Sequence, residues 1–417
     1  MRPLVPILLN QGASVILGLV QLKLLTHFVP VAMNGSYSVF QTLTQIGVMI
    51  THSGLSNHAC RYWQREQSDS GVYARFLGLE SLSLLRYLIP ILLALALGLH
   101  WKDTDGGWLW AFPLLIVSNL ALGLNQVAIG SLNAERSFWK VFLLTFFGTA
   151  ARTFLPVGVA LLTTMSFGAL ATGFALHGAV ILMLLALLFG WVIRASQPTP
   201  QQTEQWSREL RVYGRPFVLL GIGAWFLLSA DRWIVLSVFG EERAGLFATA
   251  AALGIFLPNM VMAGMMQWVF PTIFQMSDHA KTREDWRRIA KRCDGATVLF
   301  LALSVGGLVA LKLVSPFLVG WLIGERYVPA FAMLVPAGLA MVASQVNQFY
   351  YLLLQGQQNS AGMVRVMLIV SGIKTLGSIG AALISWSLFS DWLIASLFIS
   401  GLLGRWLIRR MAFRDKL

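Results

Sequence analysis

The chain has 417 residues, 57% of them hydrophobic and only 12% charged, with a mean hydropathy of +0.69. A water-soluble globular protein carries about 25% charged residues, so that class is excluded. The formal net charge of +13 invites nucleic acid, but most Lys and Arg fall in alternate loops between apolar runs, as the positive-inside rule requires.

Apolar runs of about 18 residues or more recur along the whole length, each long enough to cross ~30 Å of hydrocarbon as a helix. They lack the alternation of barrel strands. The first runs from about Leu4 to Phe28 and the second from about Tyr37 to Cys60, with Arg61, Arg65 and Arg75 following. The third covers about Leu77 to Leu99, and its exit carries Lys102, Asp103 and Asp105 with Trp108 and Trp110 beyond. The fourth ends near Leu132 before Arg136 and Lys140, the fifth ends near Thr163, and the sixth spans about Phe167 to Ile193.

A polar break from Arg194 to Arg215 predicts a cytoplasmic linker ending in a surface helix. Beyond it, runs at about Pro216 to Phe239 and Ala244 to Phe270 flank Glu241-Glu242-Arg243. The segment from Gln275 to Asp294 is strongly basic. On a helix its Trp286, Ile289 and Cys293 share one face, which predicts an anchor on anionic inner-leaflet lipids. Runs at about Ala296 to Val319 and Pro329 to Leu354 flank Glu325-Arg326-Tyr327, and two more, about Met363 to Leu388 and Trp392 to Ile408, close the chain. Arg405, Arg409, Arg410, Arg414 and Lys416 place the C-terminus inside. The expectation is an all-α polytopic membrane protein of about twelve transmembrane helices, both termini cytoplasmic, in two six-helix lobes related by a pseudo-twofold along the membrane normal. The predicted division is residues 1–193, a linker at 194–215, and 216–417. The two cysteines, Cys60 and Cys293, are expected to form no disulfide.

A polar signature occurs twice. Asn125-Gln126, Leu132-Asn133-Ala134-Glu135-Arg136 and Arg152 are matched by Asn347-Gln348, Leu354-Gln355-Gly356-Gln357-Gln358 and Lys374, each 222 positions later (347−125, 354−132, 374−152). Gly35-Ser36-Tyr37 is matched by Gly245-Leu246-Phe247 at a shift of 210 (245−35). These matches point to a duplication.

Six cations lie within runs: Lys23, Arg86, Arg152, Arg232, Lys312 and Lys374. Charge in hydrocarbon is costly, so such residues usually face a cavity. Lys23, Arg232 and Lys312 lie near the outer helix ends and Arg86 nearer the inner side, within reach of snorkelling. Arg152 and Lys374 lie about 20 Å along their helices at ~1.5 Å per residue, beyond easy reach of either end. They are expected to face one another across a central cavity and bind an anionic substrate; the alternative is that each pairs locally. Asn125, Gln126, Asn347 and Gln348 are the polar lining. Asp231, the only mid-span carboxylate, is either a structural ion-pair partner or a coupling site for protons or cations. His177, in the sixth run, is either a packed histidine or a proton carrier.

Enzyme signatures are missing: there is no HExxH, no P-loop and no CxxC. No catalytic residues, metal or cofactor are expected.

Leu228-Ser229-Ala230-Asp231-Arg232-Trp233-Ile234-Val235-Leu236, then Phe239-Gly240 and Ala244-Gly245-Leu246-Phe247, resembles the seventh and eighth spans of polysaccharide flippases. Gly54-Leu55-Ser56 through Arg61 resembles the end of their second span, and Gly324-Glu325-Arg326-Tyr327 the loop before their tenth. These are the O-antigen-type flippases of the multidrug/oligosaccharidyl-lipid/polysaccharide exporter superfamily. The resemblance covers the whole chain in length and span count. It implies alternating access in the bacterial inner membrane, with polyprenyl-diphosphate-linked oligosaccharides as cargo for lipopolysaccharide or exopolysaccharide synthesis. The partners it implies are that lipid-linked substrate and a polysaccharide polymerase, with no nucleic acid. His27 stands where the family often has Arg.

Three other classes compete. A multidrug antiporter of the same superfamily needs carboxylates in the first lobe, where five of the six runs have none. A major-facilitator sugar transporter needs a glycine- and arginine-rich signature after the second span. A glycan polymerase or ligase needs a large outer loop.

Overall fold

The computed structural model describes residues 4–100, 107–194, 196–357 and 359–414. The outer-loop charges Lys102, Asp103 and Asp105, and also Gln358 and Lys416, lie outside these. The described residues are helical throughout, with no strand among them. That is what a bilayer dictates, because a helix satisfies every backbone N–H and C=O within its own segment.

The helices are α1 (Leu4–Phe28), α2 (Val31–Tyr62), α3 (Ser70–Ser83), α4 (Leu85–His100), α5 (Gly107–Ala134), α6 (Phe138–Leu162), α7 (Phe167–Arg194), α8 (Pro200–Phe239), α9 (Glu241–His279), α10 (Arg283–Leu322), α11 (Leu334–Gln345), α12 (Gln348–Gly356), α13 (Ser360–Ile384) and α14 (Trp386–Arg414). Short 3₁₀ segments occupy Gln67–Asp69 and Glu325–Met333. Eleven segments among the described residues are long and apolar enough to cross a membrane. α2 has the length but is too polar to count with them; adding it gives the twelve expected. Its hydroxyls bond back to its own turns, as in Thr42 Oγ1 to Val39 O (2.8 Å) and Thr51 Oγ1 to Gly47 O (2.7 Å). Such back-bonding lets a helix bury Ser and Thr hydroxyls.

The chain divides into two compact units. Unit 1 is Met1–Val29 with Tyr37–Ile222; unit 2 is Pro30–Ser36 with Gly223–Leu417. The boundaries differ from those read in the sequence. Residues 200–215 are the first turns of the 40-residue α8 and belong to unit 1. Trp206, 1% exposed, is sunk among Tyr73 and Phe76 of α3. Arg65 donates two hydrogen bonds to Glu209, at 3.1 and 2.7 Å. Polar composition suggested a linker; an aromatic socket and a bidentate ion pair hold it as a helix.

In unit 2, the first turn of α2 is fastened to α9. Ser36 Oγ donates to Glu241 Oε1 (2.7 Å) and Asn34 Nδ2 to Thr249 Oγ1 (3.3 Å). Gly35 and Gly245 let the two backbones approach, since a Cβ on either would collide with the other helix's backbone. Gly240, with φ of 87°, turns the chain sharply from α8 into α9, a backbone shape reserved for glycine.

The duplication is visible in the helix limits. α6 and α13 each have 25 residues, and both ends shift by 222 (360−138 and 384−162). α5 ends at Ala134 and α12 at Gly356, the same shift (356−134). α2 and α9 begin 210 apart (241−31). The repeated polar break is a helix ending. Ser137 N bonds Leu132 O and Asn359 N bonds Leu354 O, both at 2.9 Å. In the first copy Arg136 N also bonds Asn133 O, with Arg136 at a φ of 60°. That pair of bonds is the Schellman pattern, which closes the last carbonyls of a helix. One copy is interrupted where the other is not: α5 runs unbroken through Asn125-Gln126, whereas α11 and α12 are separated at Val346-Asn347.

Candidate functional site

Arg152 lies in the middle of α6. At about 100° per residue, Trp139, Leu143, Phe147, Phe154 and Leu161, all exposed, form one apolar stripe on that helix. Arg152 is also exposed, but on the opposite face. Its guanidinium sits 6.0 Å from the centroid of the Phe174 ring on α7 and acts electrostatically on Tyr37 of α2 and His177 of α7. No salt bridge is made by Arg152 among the described residues. Around it, Tyr37 Oη, Gln41 Nε2 and His177 Nδ1 are buried atoms with no hydrogen-bond partner of normal geometry among the described residues. Tyr37 and His177 are 1% and 2% exposed. A cation without a salt bridge among the described residues, with buried polar groups beside it and the apolar stripe behind it, forms a site whose complement is an anion with hydrogen-bonding groups.

Lys374, its repeat counterpart, has the opposite surroundings. It too lies opposite its helix's exposed stripe of Ile369, Leu376 and Leu383, yet it is only 1% exposed. Its Nζ stands 2.5 Å from Asp231 Oδ2 and 2.6 Å from Leu227 O, and Ser378 Oγ donates to Asp231 Oδ1 at 2.8 Å. The Lys374 charge is thus neutralised within unit 2 by the one mid-span carboxylate, so Lys374 is not an open anion site there.

The repeat explains the difference. Thr153, beside Arg152, bonds Leu17 O through Oγ1 (3.3 Å) and Lys374 bonds Leu227 O, and the shift of 210 between the starts of α2 and α9, carried back one helix, pairs α1 with α8 (227−17). On that register Asp231 corresponds to Gln21 (231−210). The first copy carries an amide where the second carries the carboxylate.

The remaining in-span cations each have surroundings of their own. Arg86 is exposed on the same face of α4 as Leu93 and Leu97 and lies 4.8 Å from its neighbour Tyr87's ring, so it faces the apolar surroundings. Lys312 Nζ is bonded to Phe331 O at 2.8 Å. Lys23 and Arg232 are half-buried, each with an interaction of its own. Among the amides, Asn347 Nδ2 bonds Ser400 O (2.8 Å) in the core of unit 2. Gln126 accepts from Ser56 Oγ through its backbone carbonyl (3.0 Å), and Asn125 Oδ1 has no partner among the described residues. Gln348 is half-buried at the start of α12. Tyr37 and Phe174 were not singled out for this site in the sequence: an isolated aromatic residue carries no signal until the fold puts it beside Arg152.

The predicted membrane anchor is corrected. Trp286, Ile289 and Cys293 do share a face, but at 4%, 1% and 0% exposure they are packed inside unit 2. The apolar stripe of the first turns of α10 is a core stripe.

The fold is shared with solved transporters of the MATE family. An inward-facing multidrug-resistance MATE family transporter of the MOP superfamily aligns with a TM-score of 0.68 and 15% identity over 98% of both chains. An outward-facing MATE transporter aligns at 0.65 and 13% over 99% of this chain and 94% of the other, and a MATE in complex with MaD3S at 0.63 and 12% over 97% and 94%. Residues 24–332 match the family described as polysaccharide biosynthesis protein, and the chain belongs to that family. No curated protein matches it in sequence.

Proposed function

We propose that the protein flips a polyprenyl-diphosphate-linked oligosaccharide across the bacterial inner membrane by alternating access, for surface polysaccharide synthesis of the O-antigen, lipopolysaccharide or exopolysaccharide type. The observation that carries this reading is Arg152: an exposed mid-helix guanidinium, opposite the apolar stripe, with no salt bridge among the described residues. A diphosphate supplies the missing charge, and a guanidinium binds it in bidentate fashion. Tyr37, Gln41 and His177 offer donors and acceptors for a polar headgroup. Membership of the polysaccharide biosynthesis family supports the same cargo.

The MATE-like fold favours one rival, a cation antiporter. Asp231 speaks against it, because its carboxylate is occupied by Lys374 and Ser378. Transport assays decide between them. The flippase reading expects surface polysaccharide to be lost on deletion and restored by the wild-type chain, with no change in efflux of cationic dyes. Dye efflux that depends on the protein, with polysaccharide unchanged, would overturn it.

In this proposal both termini are cytoplasmic. Support comes from the charge at one end of unit 2. Arg409 and Arg405, near the C-terminus, both pair with Asp294 close to the basic start of α10.

A further inference from the structure

The last turns of α9 and the first of α10 enclose a cavity of about 350 Å³, walled by Thr272, Gln275, His279, Asp285, Arg288 and Ile289 among others. Small-molecule sites begin at about that size.

The acids here are already engaged. Asp285 Oδ2 accepts from Thr282 N (2.9 Å), Thr282 Oγ1 (2.7 Å) and Lys281 N (3.2 Å). Glu284 accepts from Arg288 Nη2 at 3.1 Å. Cations are in surplus. Lys281, Arg287, Lys291 and Arg292 are exposed and make no salt bridge among the described residues. Arg283 Nε is shut off from solvent with no acceptor among those residues. Arg292 lies one turn beyond Arg288 on the same helix face.

Depth points to the ligand. The apolar part of α10 begins at about Ala296. Arg292 therefore stands about 6 Å, and Arg288 about 12 Å, outside it along the helix at ~1.5 Å per residue. A headgroup layer some 5–8 Å thick lies there, within reach of both side chains. Because Trp286, Ile289 and Cys293 are buried in unit 2, the face that these first turns of α10 leave exposed is a charged one.

We propose that this cavity, with Arg288 on its wall and Lys291 and Arg292 beside it, binds the phosphate of an anionic phospholipid headgroup. The probes are phosphatidylglycerol, phosphatidylcholine and inorganic phosphate, titrated onto the purified full-length protein in detergent. Native mass spectrometry reads the lipid retained, and tryptophan fluorescence reads the melting midpoint. Phosphatidylglycerol is expected to bind at least tenfold more tightly than phosphatidylcholine. The triple variant Arg288→Gln, Lys291→Gln, Arg292→Gln is expected to lose that preference while keeping its lipid-free midpoint. Should the triple variant not fold, Arg292→Gln alone is expected to weaken phosphatidylglycerol binding several-fold. Equal affinity for the two lipids, or variants that bind phosphatidylglycerol like the parent, would overturn the site. Inorganic phosphate binding as tightly as phosphatidylglycerol would overturn the lipid as its source. No glycan enters this experiment, so its outcome is independent of the cargo.

Discussion

Lys374 Nζ stands 2.5 Å from Asp231 Oδ2, with both side chains 1% exposed, while Arg152, at the equivalent place in the repeat, makes no salt bridge among the described residues. One duplicated position thus holds a closed ion pair in one copy and an open cation in the other. A duplication gives both copies the same helix and the same depth; Gln21 against Asp231 then decides which cation is available to a ligand.

The closed pair predicts a stability effect. Removing one partner of a buried pair leaves the other charge uncompensated, which costs about 3–5 kcal/mol. Asp231→Asn and Lys374→Ala are each expected to lower the melting midpoint of the detergent-solubilised protein. The double variant Asp231→Leu, Lys374→Met is expected to recover most of the loss. A midpoint unchanged in both single variants would remove the pair from the account of unit 2. Asp231 is also the coupling candidate, so Asp231→Asn is measured under an imposed ion gradient. Transport that no longer follows the gradient supports coupling; unchanged gradient dependence counts against it.

The open cation predicts a functional effect. Arg152→Ala is expected to reduce polysaccharide export at least tenfold with normal insertion, and Arg152→Lys less, because lysine keeps the charge and loses the bidentate fork. Export at the parental rate in Arg152→Ala would sink the substrate role.

The register between copies can be tested by transplanting the carboxylate. Gln21→Glu places a carboxylate at the repeat position of Asp231, and is expected to depress export as strongly as Arg152→Ala while the protein stays folded. Full export in Gln21→Glu would show that Arg152 is not used as a free charge.

Trp206 predicts that the start of α8 is part of the packed structure. Truncating a buried tryptophan typically costs about 3–5 kcal/mol. Trp206→Ala is expected to destabilise the protein by that order, and to make the 194–215 segment the first site of protease cutting. Resistance equal to the parent's would restore the picture of a free linker. If that segment is cytoplasmic, a cysteine at Gln202 stays unmodified by impermeant reagents applied to intact cells; labelling there would reverse the topology.

Length, hydropathy and Lys/Arg placement determined the class, the approximate spans and the repeat by themselves, because a bilayer leaves a spanning chain almost no choice but an apolar helix of set length. Even α2, with its many hydroxyls and amides, sits where the sequence put it. What a side chain touches is another matter, since that depends on which helix faces of distant segments meet. Asp231 and Lys374 are 143 positions apart, and nothing local to either marks the other as its partner. The sequence treated Arg152 and Lys374 as alike; packing separated them. Trp286, Ile289 and Cys293 formed a legible apolar face, but a helical stripe looks the same whether lipid or protein covers it, and only the tertiary structure decided that protein does.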